Sequence, residues 1–205
     1  MKQVIILAIL LILIGGCSTL QDSQSEPATN ITHAISGTQD LLLNEQDLQQ
    51  LGLTGNPNET YLQQFEITGN GTNCRTDEGY TDVVDSSEGQ YSICDYIISG
   101  LNDTDVIIEF QRFADYEALN GSYQYGSSHL YSVQGVISEN EYGDQSIFRV
   151  NNENDYGGQF NEPGVYFYHL WFTKDLYLIH ITSKGSKDAE DHIAKIGQQI
   201  LSKLG

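Results

Sequence analysis

Val165-Tyr-Phe-Tyr-His-Leu-Trp-Phe-Thr173, then Lys174-Asp175, then Leu176-Tyr-Leu-Ile-His-Ile-Thr-Ser183, is the stretch that decides the fold. Two runs rich in aromatic and β-branched residues flank a short polar break, the pattern of an antiparallel hairpin. Lys-Asp is not the Asn-Gly pair that a two-residue turn favours, so a two- or a four-residue loop centred there fits. Either loop sets His169 directly opposite His180 and Trp171 opposite Leu178, whereas a three-residue loop removes that pairing. Directly opposed Cβ atoms stand about 4.5–5.5 Å apart, close enough for two imidazoles to share one metal ion. Imidazole suits Zn, Cu and Ni, and a carboxylate can complete such a site. The same pair is a candidate pH sensor, because two adjacent imidazoles resist double protonation. A third reading is structural. Val165, Phe167, Trp171, Leu176 and Leu178 share that face, so both rings can be half-buried and hydrogen-bonded.

After the hairpin comes the clearest helix, capped by Ser186 with Asp188, Glu190 and Asp191 in its first turns. Ala189, Ile193, Ile196, Ile200 and Leu204 recur at helical spacing and make one apolar face. Upstream, Gln145–Asn151, Asp105–Phe113, Tyr91–Ser99 and Tyr61–Thr68 read as strands. Ala114–Tyr125 reads as a helix weakened by Gly121 and Ser122. Asn44 is placed to cap a short helix through Leu51, and Gly52 to end it. Strands dominate, and the best helix follows the hairpin rather than joining parallel strands. The expected class is α+β, an antiparallel sheet with a C-terminal helix packed on one face.

At the other end, Met1-Lys2-Gln3 is a minimal basic start, followed by an apolar run from Val4 to Ile14. At 1.5 Å per residue that run falls far short of the roughly 30 Å hydrocarbon core, so it reads as a cleavable export signal. Ile14-Gly15-Gly16-Cys17 resembles the lipobox of prokaryotic lipoproteins. The resemblance implies diacylglyceryl attachment to Cys17 and cleavage just before it. Residues 1–16 are then the signal peptide and 17–38, rich in Ser, Thr, Gln and Asp, a flexible tether. Residues 39–205 are expected to be a single domain.

The formal charge is −19 with only nine Lys and Arg, five of them at or after Lys174. No basic stripe exists to neutralise phosphates, which excludes nucleic acid as a partner. With Cys17 assigned to lipid, Cys74 and Cys94 remain in an exported chain and most simply form a disulfide. Asn30, Asn58, Asn70, Asn102 and Asn120 each open an Asn-x-Ser/Thr triplet and are candidate glycan sites. Asn- and Gly-rich turns produce the same triplet without a sugar. Asn102–Asp105 and Asn151–Asp155 offer hard oxygen ligands for calcium, though neither has EF-hand spacing and such residues crowd turns anyway.

No Gly-x-Ser-x-Gly, Ser-x-x-Lys, His-Glu-x-x-His, Cys-x-x-Cys or phosphate-binding glycine loop occurs, so no catalytic residue is assigned and no cofactor is expected. The order of elements over residues 39–205 loosely resembles small PsbP/Mog1-like α+β modules of prokaryotic surface lipoproteins. That resemblance carries no functional residues across. The reading is therefore a lipid-anchored protein of the extracytoplasmic face of the cell membrane, with a non-enzymatic module that binds a protein or small molecule. The competing readings are an envelope-associated enzyme of hydrolase class and a metal-binding protein using His169 and His180.

Overall fold

A computed structural model describes residues 35–57, 73–78, 89–101, 104–128, 135–151 and 162–205. Signal, lipid site, all of the tether before residue 35, the strand expected over Tyr61–Thr68 and the sequons at Asn30, Asn58, Asn70 and Asn102 lie outside them.

Eight antiparallel strands make one open sheet: β1 (Leu53–Gly55), β2 (Cys74–Glu78), β3 (Gln90–Ile98), β4 (Asp105–Arg112), β5 (Gly135–Glu139), β6 (Gln145–Asn151), β7 (Tyr166–Lys174) and β8 (Tyr177–Gly185). Their order is β1-β3-β4-β8-β7-β6-β5, and β2 pairs with β3 beside β1. The hairpin β7–β8 thus lies near the middle of the sheet, where strands are covered on both faces and read as near-continuous apolar runs. The expected α+β class is the observed one.

Along each strand, alternate residues point to opposite faces. Val106, Ile108 and Phe110 of β4, Ile179 and Ile181 of β8, and Leu170 and Phe172 of β7 are fully buried on one face. Helix α3 (Glu190–Leu204) covers them with Ile193, Ile196 and Ile200, so the apolar stripe read from its spacing is the stripe it buries. Its approach is close at Gly197, where a Cβ would stand 2.6 Å from Leu170 Cδ2 and 3.1 Å from Tyr142 Cε1. The Ser186 hydroxyl caps a short 3₁₀ turn (Lys187–Ala189) that leads into α3.

Helix α1 (Glu45–Leu51) begins where the Asn44 side chain accepts the Asp47 amide while the Asp47 carboxylate accepts the Asn44 amide. It ends at Gly52, whose φ of 67° is left-handed and favours glycine. Asp47 also ties α1 to α3, accepting from Gln199 Nε2 at 2.7 Å and pairing with Lys203 Nζ at 2.8 Å.

The opposite face carries a smaller core. Helix α2 (Tyr116–Ser128) lays Leu119 and Tyr123 on Phe113, Ile147, Trp171 and Leu178. Helices therefore lie on both faces, α1 and α3 on one and α2 on the other. Gly121 and Ser122 do not break α2, because Ser122 is buried against the sheet and tertiary packing outweighs local propensity.

Candidate functional site

The hairpin turns on Asp175-Leu176, one residue beyond Lys174-Asp175, and this moves the register. Lys174 pairs with Tyr177, Trp171 with His180 and His169 with Thr182. His169 and His180 are accordingly not directly opposed, which corrects the expected pairing. The cause is a contact from another loop. The Asp144 carboxylate accepts the Asp175 amide at 2.8 Å and pairs with Lys174 at 3.4 Å, and Asp175 takes a left-handed φ of 52°.

The displaced register keeps both histidines on one face, as diagonal neighbours. His169 Nδ1 lies 3.3 Å from His180 Nε2. The ring centroids are 5.6 Å apart and the planes 13° from parallel. The difference between those two distances is what two ring radii take up, so both nitrogens lie close to the line joining the ring centres. This is the head-to-head geometry of a hydrogen bond. Two ligands of a tetrahedral ion with bonds of about 2.0–2.1 Å also stand about 3.3 Å apart, but such an ion sits off that line, away from the direction in which the two nitrogens face each other. Among the described residues no third His, Cys, Asp or Glu joins them in a metal-holding group.

The other side of His180 is fixed by β4. Glu109 is its direct cross-strand partner, and Glu109 Oε2 lies 2.7 Å from His180 Nδ1. Tyr91, on β3, donates its hydroxyl to Glu109 Oε1 at 2.8 Å. Thr182 Oγ1 approaches His180 Nε2 at 2.9 Å. The indole of Trp171 stacks on both imidazoles, at 4.2 Å from His180 and 5.1 Å from His169, with planes within 8° of parallel. Four strands thus line up one chain, Tyr91–Glu109–His180–His169, on a single aromatic platform.

Burial deepens along this chain. The Glu109 side chain is 27% exposed and that of His180 17%, while His169 is 1% exposed. Burial pushes the Glu109 carboxyl up, but the hydrogen bond and charge of His180, the Tyr91 hydroxyl and the more distant His169 outweigh it. The net effect holds Glu109 below the usual carboxylate range. A carboxylate so placed fixes the proton of His180 on Nδ1 in the neutral ring and leaves Nε2 to accept.

Sequence reasoning located the two histidines and missed Glu109, Tyr91 and Thr182. One signal was present. In Asp105-Val-Ile-Ile-Glu-Phe-Gln-Arg-Phe113, Glu109 is a charge in the middle of an apolar strand, which needs a partner if it is covered.

The remaining candidates fall out separately. Cys74 and Cys94 are direct cross-strand partners in β2 and β3 and form the expected disulfide. Asn120 lies exposed on α2, with its Oδ1 accepting from Gln145 Nε2 at 2.9 Å. Of the two acidic stretches, Asp105 lies in β4 beside Asn56 Nδ2, at 3.3 Å, and Asn151 ends β6 fully buried. Residues 102–103 and 152–155 of these stretches lie outside the described residues.

No protein-family model matches the chain, and no curated protein matches it. Among solved structures it is similar to the extracellular domain of PknH from Mycobacterium tuberculosis, with a TM-score of 0.50 and 10% identity over 80% of this chain and 92% of that one. At that identity the likeness is one of fold.

Proposed function

We propose that this chain is an exported lipoprotein, held to the outer face of a cell membrane by a lipid on Cys17. It presents residues 39–205 as a module that binds a protein or small molecule. The observation that carries this reading is the Cys74–Cys94 disulfide, because such bonds form and persist in oxidising compartments outside the cytosol. The lipobox-like Ile14–Cys17 string supplies the route out and the anchor. The fold likeness to a domain described as extracellular agrees with that placement.

Mass spectrometry of the purified native protein tests it. The expected chain starts at Cys17, carries a diacylglyceryl mass and contains one disulfide, and Cys17→Ser abolishes the lipid and the membrane fraction. A mature chain that still begins at Met1 overturns the reading. The same spectra show whether Asn120 and the other sequons bear sugars.

A second reading, a hydrolase, has one observation in its favour. Thr182 Oγ1, His180 and Glu109 stand in the hydroxyl–imidazole–carboxylate order of an activated nucleophile. Fluorophosphonate labelling decides it, since a catalytic hydroxyl gives a stoichiometric adduct on Thr182 that His180→Gln removes. An unlabelled Thr182 ends that reading.

A further inference from the structure

The geometry points to a one-proton switch on the α2 face of the sheet, in which Glu109, His180, His169 and Trp171 accept a single proton and resist a second. With both imidazoles neutral, His180 holds its proton on Nδ1 toward Glu109, and its Nε2 accepts from His169 Nδ1–H or the Thr182 hydroxyl. One added proton goes to His180 Nε2. The N–H then points at His169 Nδ1, which accepts it in the tautomer whose proton is on Nε2, the one that leaves Thr182 as the donor to His180 in the neutral state. The chain stays connected, and the new charge lies between the Glu109 carboxylate and the face of the Trp171 indole. Both favour a cation. A second proton would set two N–H groups against each other across 3.3 Å and place two like charges on one indole, so the rings must part.

The surroundings agree with a single charge. Among the described residues, the groups facing the pair are Tyr91 from β3, Glu109 from β4, Thr182 and Trp171 from β8 and β7, and Arg149, the direct cross-strand partner of His169 on β6. Tyr123 packs in the same small core from α2, and burial, joined by the Glu139 charge and opposed by that of Arg149, raises its phenol above the ordinary tyrosine range. Among the described residues Glu109 is the carboxylate that bonds the pair, and Arg149 on the far side of His169 opposes a second cation there. Proton uptake therefore stops at one. Imidazole is the side chain whose ordinary titration falls between about pH 5 and 8. A domain outside the cell would meet pH changes in that range, yet the switch rests on the network alone and stands or falls independently of the anchor.

Trp171 is the only tryptophan in the chain, so its emission reports on this site alone. Imidazolium quenches a stacked indole and neutral imidazole does not. The test is a fluorescence titration of the full chain from pH 8.5 to 4.5 in EDTA, with far-UV circular dichroism in parallel. The expected result is a reversible fall in emission with the slope of one proton, while the secondary structure is unchanged. His180→Gln should remove that step. Glu109→Gln, which removes the charge facing the added proton, should move the step to lower pH. If His180→Gln does not fold, ¹⁵N imidazole spectra of the native protein give the same answer. One ring should then take imidazolium shifts below the step while the other stays neutral. A flat titration, a step unchanged in His180→Gln, or two rings charging together overturns the proposal. Quenching that appears only on adding zinc or copper also overturns it, in favour of a metal site.

Discussion

Asp47→Ala should lower stability by about 3 kcal/mol, a large share of the 5–15 kcal/mol that holds an ordinary domain together. Three groups converge on this one side chain, which is 8% exposed: the Asn44 amide, Gln199 Nε2 and Lys203 Nζ. The Asp47 amide still donates to the Asn44 cap in this variant, but the carboxylate's bond to the Asn44 amide is lost, at about 1 kcal/mol. Removing the carboxylate also leaves Lys203, itself 19% exposed, without its partner. Asp47→Asn should lose less, because an amide oxygen still accepts at the cap. The two variants separate charge from hydrogen bonding.

The same residue sets an acid limb. Burial pushes the Asp47 carboxyl up, but the hydrogen bonds from Lys203, Asn44 and Gln199 and the Lys203 charge more than offset it, so it titrates below the ordinary range. A group whose folded value is depressed contributes fully above its unfolded value, near pH 4, and that contribution is lost as pH falls through the folded value. Urea midpoints measured from pH 7 to pH 2 should therefore show the difference between native protein and Asp47→Asn shrinking below pH 4. A difference that stays constant down to pH 2 would show that the ion pair contributes nothing.

How much of this was legible beforehand depends on range. The hairpin, α1 with its Asn44 and Gly52 ends, and the stripe of α3 are written in local alternation and spacing. The short edge strands were not. Cys74-Arg-Thr-Asp-Glu78 and Gly135-Val-Ile-Ser-Glu139 carry little alternation and are held by their neighbours β3 and β6, the latter across a bulge. The hairpin register turned on Asp144, thirty-one residues from the amide it accepts. Parity rescued part of the reading, since a turn shifted by one residue moves the pairing by two and keeps His169 and His180 on one face. Their partner Glu109, seventy-one residues from His180, could be found only through the register of β4 on β8.

Phe172→Ala should be the most damaging single truncation, at about 3–5 kcal/mol. Phe172 is fully buried in β7, between its cross-strand partners Ile179 and Ser146, and its ring lies 6.0 Å from that of Tyr142. The two losses add, because the transfer free energy of the ring is forfeited and a cavity remains that a central strand cannot close. Strands on both sides and α3 above fix the walls, and Gly197 already sets α3 against Leu170 and Tyr142 with no slack. Tyr116→Ala is the control. Its side chain is of similar size but 58% exposed, so its effect should stay within about 0.5 kcal/mol. In urea the Phe172 variant should unfold at a much lower midpoint with an unchanged slope, which locates the loss in the native core. A midpoint shift no larger than that of Tyr116→Ala would mean that the sheet and α3 repack around the gap.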